Sequence, residues 1–272
     1  MTPLSNLHTH TVYCDGKNTA EELIRRAVEL GWKSIGFSGH AYTACDTAYC
    51  MSRENTALYQ QEILALREKY RDAIQVYLGI EQDLFSDVSG FPYDYRIGST
   101  HYLLCSDGAY VPVDDSAEIM AGAVEHYFGG DYYKYAQAYY QQIVDVAKVT
   151  GCDIVGHFDL ITKFNEGGRF FDESDVRYRT AAVTAMEQIV QTCPLFEINT
   201  GAMLRAGRSV PYPAAFLLRE LCHLGGSVII TSDCHQVKGL DWAFEQAAEL
   251  AKACGFRYGK ILCDGVFADI VL

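Results

Sequence analysis

Residues 4–10 read LSNLHTH, a short strand-like run that leads directly into two histidines. In an extended strand the side chains of residues i and i+2 point to the same face, so His8 and His10 present two imidazoles side by side. Such a pair can chelate a transition metal, and Asp233 and His235 repeat the spacing in the distal part of the chain. The two pairs together predict a metal site that unites distant parts of the sequence.

Between the two pairs, short apolar runs alternate with segments of helical periodicity. A capping box at Thr19 and Glu22 starts the first helix, and a tyrosine stripe over residues 132–149 marks a helix that packs in the core. About seven β-then-α units in roughly 250 residues favour an incomplete (β/α) barrel in a single domain, residues 1–272. A doubly wound open sheet is the alternative, although its glycine-rich phosphate loop is absent after the first strand. The strands that we predict are residues 4–7, 34–38, 74–80, 96–104, 153–156, 195–199 and 227–231, with further helices near residues 59–70, 176–192 and 214–224 and before Gly255.

The composition disfavours several functional classes. The chain has 35 acidic against 22 basic residues, a net charge of −13, which argues against a partner that is nucleic acid or an anionic membrane. No apolar run of 18 residues and no leader-like segment occurs, so we expect a cytoplasmic protein. The ten cysteines include no C-x-x-C pair and lie mostly in apolar runs, which predicts buried free thiols rather than disulfides.

Histidines and carboxylates collect at the ends of the predicted strands. Six of the eight histidines lie at or just beyond the carboxyl end of a strand, and in a (β/α) barrel those ends converge on the mouth that holds the active site. Six imidazoles and three carboxylates buried together without cations would be unfavourable by several kcal/mol per group, and nine ligands exceed what one ion needs. We therefore predict two to three divalent ions, zinc, manganese or iron, on His8, His10, Asp15, His40, Glu81, His101, His157, Asp233 and His235.

These residues lie in motifs whose order is informative. The order resembles that of the PHP (polymerase and histidinol phosphatase) superfamily throughout residues 8–235, and the segments 156–160 and 199–201 are most similar to its monofunctional histidinol-phosphatase branch. The motifs are His8-Thr9-His10, Cys14-Asp15-Gly16, Ser38-Gly39-His40, Gly79-Ile80-Glu81, Ser99-Thr100-His101, Gly156-His157 and Ser232-Asp233-Cys234-His235.

The resemblance implies a distorted seven-stranded (β/α) barrel, similar to a TIM barrel, with a trinuclear metal site at the carboxyl ends of its strands. The implied activity is hydrolysis of L-histidinol phosphate to L-histidinol and phosphate, a step of histidine biosynthesis. Asp233, His235 and His157 are also expected to act in catalysis. The implied ligand sets are His8, His10, Glu81 and Asp233 for one ion, Glu81, His101 and His157 for a second, and Asp15, His40 and His235 for a third.

Two basic residues are candidates for binding the phosphate of a small-molecule ester, the class of substrate that clustered divalent ions suit. Lys163 lies six residues beyond His157, and Arg205 lies six beyond Asn199, with Arg208 as the substitute for Arg205. Solvated surface charge is the other interpretation of these side chains. A PHP phosphoesterase of nucleotides or nucleic-acid ends is the second hypothesis for function, and another metal hydrolase or a non-catalytic metal-binding protein is the third.

Overall fold

The computed structural model describes residues 5–88 and 90–272, and Leu4, where the first predicted strand begins, lies outside them. In chain order the strands are β1 (Ser5–Asn6), β2 (Ser34–Phe37), β3 (Gln75–Asp83), β4 (Tyr95–Ser99), β5 (Tyr102–Leu104), β6 (Tyr110–Pro112), β7 (Ile154–Val155), β8 (Leu195–Asn199), β9 (Ser227–Thr231), β10 (Tyr258–Cys263) and β11 (Val266–Val271). The helices are α1 (Ala20–Glu29), α2 (Arg53–Tyr70), α3 (Ala117–Phe128), α4 (Tyr132–Ile143), α5 (Val146–Thr150), α6 (Val176–Ile189), α7 (Gly201–Arg205), α8 (Ala215–His223) and α9 (Phe244–Ala253).

Seven strands form one parallel sheet in the order β1-β2-β3-β4-β7-β8-β9. The sheet is nearly closed, because Thr9 just beyond β1 forms a parallel bridge with Cys234 just beyond β9. The amide of His10 donates to the carbonyl of Cys234 at 2.8 Å, and the amide of Cys234 donates to the carbonyl of His8 at 2.9 Å. The seven-stranded (β/α) barrel predicted from the sequence is therefore confirmed, and the doubly wound open sheet is wrong.

Amphipathic helices cover the outside of the barrel. At the start of α1, the Thr19 hydroxyl accepts from the Glu22 amide at 3.3 Å and the Glu22 carboxylate accepts from the Thr19 amide at 2.8 Å, so the predicted capping box is present. Leu23, Ile24 and Ala27 form the buried face of this helix, which contacts β2. Burial of each such leucine or isoleucine side chain stabilises the fold by about 1.5–3 kcal/mol.

The barrel interior below the mouth is filled by Tyr95, the first residue of β4. Its side chain is completely buried, and its hydroxyl donates to the carbonyl of Leu7. A Cβ atom at Gly79 would lie 2.2 Å from Cζ of Tyr95, so only glycine leaves room for the ring at this position of β3. The packed tyrosine separates the mouth of the barrel from its opposite end.

A carboxyl-terminal hairpin, β10 and β11, closes the opposite end of the barrel and was not predicted. Leu262 and Phe267 of the hairpin pack in one apolar cluster with Ile97 and Ile154 of the barrel. The hydroxyl of Ser34, at the amino end of β2, donates to the carbonyl of Leu262 at 2.7 Å. The hairpin therefore covers the amino ends of the strands and leaves the carboxyl ends open.

The fourth predicted strand is shorter in the structure and is followed by a separate hairpin. The strand predicted over residues 96–104 ends at Ser99, because the amide of His101 donates to Oδ2 of Asp83 at 2.6 Å instead of continuing the sheet. Residues 102–104 pair with residues 110–112 in the separate antiparallel hairpin of β5 and β6. His101 thus lies beyond a strand end, whereas the sequence placed it inside the strand.

The predicted tyrosine-rich helix over residues 132–149 is divided into α4 and α5, and α3 before it was not predicted. Tyr139, Ala136 and Ile143 are buried, so the interpretation of the stripe as core is confirmed, although Tyr132 is only half-buried. The hydroxyl of Tyr139 donates to the carbonyl of Phe158 at 3.3 Å, so this face of α4 packs against the barrel.

All ten cysteines lie among the described residues and are free thiols, as predicted. Their burial varies more than expected: Cys45 is exposed, five are half-buried, and only Cys50, Cys193, Cys234 and Cys254 are buried. No helix in residues 5–88 and 90–272 is both long and apolar enough to span a bilayer.

Candidate metal centre

The barrel mouth brings all nine predicted ligands into one cluster. Groups whose donor atoms lie within 4.8 Å of one another occur four times among the described residues, and together they include each of the nine. The ring centroid of His10 lies 5.2 Å from that of His8, 4.3 Å from that of His40 and 4.2 Å from that of His235. Residues separated by more than 220 positions are therefore neighbours, because the strands that carry them end at the same face.

Four pairs of donor atoms in the set predicted for the first ion have separations close to those of a tetrahedral site. From Glu81 Oε2, the distance is 3.1 Å to His8 Nε2 and 3.4 Å to His10 Nε2. From Asp233 Oδ1, the corresponding distances are 3.6 Å and 3.1 Å. Four donors held about 2.0–2.2 Å from a tetrahedral ion stand about 3.3–3.6 Å from one another. Within residues 5–88 and 90–272, His8 Nε2, His10 Nε2 and Glu81 Oε2 are buried without a hydrogen-bond partner, so these atoms fit a cation.

Glu81 is placed to serve a second set with its other oxygen. Oε1 lies 3.1 Å from Nε2 of His157 and 3.5 Å from Nε2 of His101, and it accepts a hydrogen bond from the Ser99 hydroxyl at 2.6 Å. Oε2 also lies 2.9 Å from Nδ1 of His40, a member of the predicted third set, so the carboxylate faces histidines of all three sets and can act as a bridging ligand.

The third set lies nearest to solvent. Nε2 of His235 is 2.9 Å from Oδ2 of Asp15, and Nε2 of His40 is 3.7 Å from Oδ1 of the same carboxylate. The side chain of Asp15 is 33% exposed, whereas those of His8 and His10 are completely buried. Nδ1 of His10 is also 3.7 Å from Asp15 Oδ1, so His10 adjoins this set as well as the first.

Two carboxylates that the sequence analysis did not identify lie next to the Nδ1 atoms of two predicted ligands. Oδ2 of Asp83 lies 3.2 Å from Nδ1 of His101, and Oε2 of Glu197 lies 2.8 Å from Nδ1 of His8. Both carboxylates are buried. Glu197 stands in the otherwise apolar start of β8, LFEI, and a single charge inside a buried strand is the signal that could have revealed it.

Asp233 is held in an unusual backbone conformation. Its φ angle is +47°, in the left-handed region that aspartate tolerates better than most residues but that still costs free energy. Gly201, the first residue of α7, fits against it closely: a Cβ atom at Gly201 would lie 2.7 Å from the Ser232 carbonyl oxygen and 2.9 Å from Cβ of Asp233. This close approach brings α7, with Arg205, over the cluster.

The buried histidines and carboxylates of the cluster shift one another's pKa values. Burial and the neighbouring His235 and His40 lower the pKa of His10 to about 3, so this imidazole is neutral near pH 7. Burial alone would raise the pKa of Glu81, but the surrounding histidines hold it well below its ordinary value. Burial would also raise the pKa of Asp233, but nearby charges, chiefly that of Arg205, outweigh this effect. The pKa of Asp233 is therefore well below its ordinary value.

At His8, His40 and His101 burial is outweighed by the neighbouring carboxylates, which raise the pKa values of these imidazoles, that of His101 to about 9. Because metal ions bind neutral imidazoles and ionised carboxylates, cations bound here would displace protons from these three histidines.

A cavity of about 600 Å³ opens above the cluster. Arg205 and Lys163 both line it, whereas Arg208 is buried, donates to the carbonyl of Thr162 and lies 4.7 Å from the centre of the Tyr212 ring. The ammonium of Lys163 donates to the carboxylate of Asp114 at 3.1 Å. Other residues that line the cavity are His40, His101, His157, Asp233, His235, Asp46, Asp115, Tyr49 and Tyr102.

Known proteins resemble this chain along nearly its whole length. A protein of Deinococcus radiodurans named "Probable histidinol-phosphatase" is 28% identical over 268 residues, which cover 94% of this chain and 96% of the relative. The histidinol-phosphatase of Bacillus subtilis is 26% identical over 270 residues, which cover 89% of this chain and 97% of the relative. The crystal structure of histidinol phosphate phosphatase from Lactococcus lactis, complexed with zinc, L-histidinol and phosphate, superposes with a TM-score of 0.69 at 19% identity and covers 97% of this chain and 98% of that chain.

The family model of the PHP domain matches residues 6–201, more than two thirds of the chain. This segment contains seven of the nine clustered residues, and the other two, Asp233 and His235, join them through the closure of the barrel. The resemblance inferred from the order of the motifs is thereby confirmed. The chain belongs to the PHP domain family.

Proposed function

We propose that the protein is a metal-dependent histidinol-phosphatase, a phosphoric monoester hydrolase that converts L-histidinol phosphate to L-histidinol and phosphate in histidine biosynthesis. One observation carries the proposal: Glu81 turns its two oxygens to two different sets of histidines at the floor of a cavity that also contains Arg205 and Lys163. The names of the relatives, which align along nearly the whole chain, support the same activity. We also propose a cytoplasmic location, which a biosynthetic role of this kind supports.

The ligand sets inferred from the sequence are the ones that we propose for two to three divalent ions. Zinc in the Lactococcus lactis structure supports zinc, and manganese and iron favour the same nitrogen and oxygen donors. When bound, such ions lower the pKa of water towards neutrality and neutralise phosphoryl oxygens. The proposed ligands are His8, His10, Glu81 and Asp233, then Glu81, His101 and His157, then Asp15, His40 and His235.

The protein's own cations would orient the phosphate. The guanidinium of Arg205 is planar and can contact two phosphoryl oxygens, whereas the ammonium of Lys163 acts as a point charge. Asp233, His235 and His157 line the same part of the mouth, and we assign them to the reacting phosphoryl group. Together these groups would hold the ester with its phosphorus over the cluster.

The remaining wall of the cavity suits the cationic end of the substrate. Asp46 and Asp115 line it, next to Asp114, whose carboxylate is paired with Lys163, and the hydroxyl of Tyr102 donates to Oδ2 of Asp46 at 2.9 Å. L-Histidinol phosphate carries an ammonium group and an imidazole, which favour carboxylates and aromatic rings. A nucleotide carries no such ammonium group, and an acidic wall would repel its additional phosphates. The wall therefore favours the amino alcohol phosphate over the nucleotide alternative.

A panel of phosphate esters tests the proposal. Purified protein loaded with zinc or manganese should hydrolyse L-histidinol phosphate with a kcat/KM at least about 100-fold above that for a nucleoside 5′-monophosphate, since two lost charged contacts are together worth about 3 kcal/mol or more. Protein stripped of metal by a chelator is the control and should be inactive. Equal or faster hydrolysis of the nucleotide would contradict the assignment of the substrate.

The role of the acidic wall has a separate test. Asp46→Asn should raise KM for L-histidinol phosphate about 10-fold, because one charge-assisted contact is lost. KM for p-nitrophenyl phosphate, which has no cationic group, should stay the same and serves as the matched control. An equal change for both substrates would show that Asp46 does not recognise the cation.

A further inference from the structure

Glu197 lies beneath the cluster, in β8, with its side chain completely buried. Oε2 accepts from Nδ1 of His8 at 2.8 Å and from the hydroxyl of Thr231 at 2.8 Å. Oε1 accepts from the amide of His157 at 2.5 Å and from Nδ2 of Asn199 at 2.8 Å. Each oxygen thus receives two hydrogen bonds, and this fully accepting arrangement is that of an ionised carboxylate.

This carboxylate determines which nitrogen of His8 is free. An ionised carboxylate can only accept, so Nδ1 of His8 must carry the hydrogen that it donates to Glu197. When His8 is neutral, as a metal ligand must be, the other nitrogen then has the lone pair. That nitrogen, Nε2, points to Glu81 Oε2 at 3.1 Å and has no hydrogen-bond partner of its own.

We propose that Glu197 is a positioning residue that fixes the tautomer of His8 and joins the first ligand set to the second. It reaches the first set through the ring of His8 and the second through the backbone of His157. The inference rests on the proposed function, because it takes His8 to be a metal ligand through Nε2. Carboxylates that accept from a ligating histidine set its orientation and basicity, and their loss weakens metal binding about 10- to 100-fold.

The variant Glu197→Gln keeps the size of the side chain but replaces one oxygen with an NH2 group. That group cannot face the side of Oε1, because the His157 amide is a fixed donor. Asn199 is also fixed there, since its Oδ1 accepts from the amide of Gly201 at 2.9 Å and an amide flip would lose this bond.

The NH2 group must therefore face His8 and Thr231, the two partners of Oε2, and both can reverse their roles. The Thr231 hydroxyl can rotate, and His8 can move its hydrogen to Nε2 and accept at Nδ1. Protonation of Nε2 blocks the proposed ligand atom. Glu197→Gln should thus impair metal binding through the tautomer of His8 and not through the packing of β8.

The test compares metal affinity, measured by competition with a chromophoric chelator, and the ¹⁵N NMR signals of the histidines in zinc-loaded protein. Glu197→Gln should lower the affinity of the most affected zinc ion about 10- to 100-fold. It should also remove the signal of a His8 ring that is metal-bound at Nε2 and protonated at Nδ1. Wild-type affinity with an unchanged His8 signal would overturn the inference.

Thr231→Val is the matched control, because it removes the other donor to the same oxygen and leaves His8 bound to Glu197. It should keep the zinc affinity within about threefold and preserve the His8 signal, in contrast to Glu197→Gln. An equal loss in both variants would overturn the inference, since it would indicate a packing role.

If Glu197→Gln does not fold, Glu197→Asp is measured against Thr231→Val instead, because it withdraws the carboxylate from His8 while keeping the charge. Wild-type protein that binds no zinc would refute the proposed function itself.

Discussion

Nη2 of Arg205 lies 2.7 Å from Oδ2 of Asp233, and Nη1 of the same guanidinium contacts Nδ1 of His235 and the backbone carbonyl of Asp233. A side chain from α7 is therefore fixed on two residues that follow β9. A guanidinium has five N–H donors, so this arrangement leaves donors for a ligand in the cavity that Arg205 lines. Arg205 is positioned by the cluster and available to the substrate.

Arg205→Ala should reduce kcat/KM for L-histidinol phosphate roughly 10- to 200-fold, because a charge-assisted contact of about 1.5–3 kcal/mol is lost. Arg205→Lys should recover only part of the rate, since an ammonium cannot make the paired contact. Steady-state kinetics with metal content measured on the same samples checks the prediction. Arg208→Ala is the control. Because its side chain is buried, the melting temperature should fall while kcat/KM for L-histidinol phosphate changes little. If Arg208→Ala loses activity while Arg205→Ala does not, Arg208 binds the phosphate.

Glu81→Gln should be more damaging than the loss of any ligand that belongs to one set. The amide cannot offer a negative oxygen to both sets, so the repulsion between neighbouring cations is no longer offset. Both the metal content, by elemental analysis, and kcat should fall sharply. Asp15→Asn, in the set nearest to solvent, is the comparison and should lose one ion at most. Normal turnover with full metal content in Glu81→Gln would show that Glu81 does not bridge.

Purified protein reconstituted with zinc, manganese or iron should contain about two to three equivalents of metal, as the number of donors requires. One equivalent should dissociate more readily than the others, because Asp15 is partly exposed whereas His8 and His10 are buried. Elemental analysis after stepwise dialysis against a chelator measures both quantities. A maximum of one equivalent would refute a cluster of two or three ions.

Gly201→Ala should disturb Asp233 directly. The new methyl group would meet the Ser232 carbonyl oxygen at 2.7 Å and Cβ of Asp233 at 2.9 Å, and neither atom can move freely. We expect a destabilisation of about 1–3 kcal/mol by denaturant unfolding, together with a lower kcat/KM. Gly122→Ala in α3 is the matched control: a methyl group there contacts nothing within 4 Å, and alanine favours the helix, so stability should stay the same or rise. Equal effects at the two positions would contradict the role of the close approach at Gly201.

Asp159 should make the free energy of unfolding depend on pH. Burial raises the pKa of its carboxyl from 3.8 to about 6, and Oδ1 has no hydrogen-bond partner. Between these two values the folded state binds the proton and the unfolded state has lost it, so stability falls as pH rises from about 4 to about 6, by up to about 3 kcal/mol. Asp159→Asn, which cannot ionise, should flatten this part of the profile measured by denaturant titration. An unchanged profile would show that Asp159 is ionised in the folded protein throughout this range.

The sequence predicted best those features that local periodicity determines. Alternating strands and helices placed His8, His40 and His157 at strand ends, and the barrel that follows from the alternation brought them together without any knowledge of contacts. Their clustering could be predicted because the carboxyl ends of all parallel strands in a barrel lie at the same face.

The features that were missed depend on contacts between distant residues. His101 leaves β4 because of a hydrogen bond to Asp83 on the neighbouring strand, which no local pattern reveals. The role of the hairpin of β10 and β11 becomes clear only from its contacts with the barrel end that it covers. In the sequence, the neighbours of Glu197 are apolar, as those of a core residue are. The reason for a charged residue at this position is its contact with His8, which is distant in the chain.

The bridge between Thr9 and Cys234 has a consequence for how the protein is made. A ribosome delivers His8 and His10 early, but Asp233 and His235 emerge only after more than 220 further residues. An unfinished chain therefore displays a histidine pair that can hold a metal ion only loosely, without the carboxylate that completes the set. Tight metal binding by the first and third sets must await the synthesis of β9, and nascent chains halted before residue 233 should release the zinc of these sets to a weak chelator that full-length protein resists.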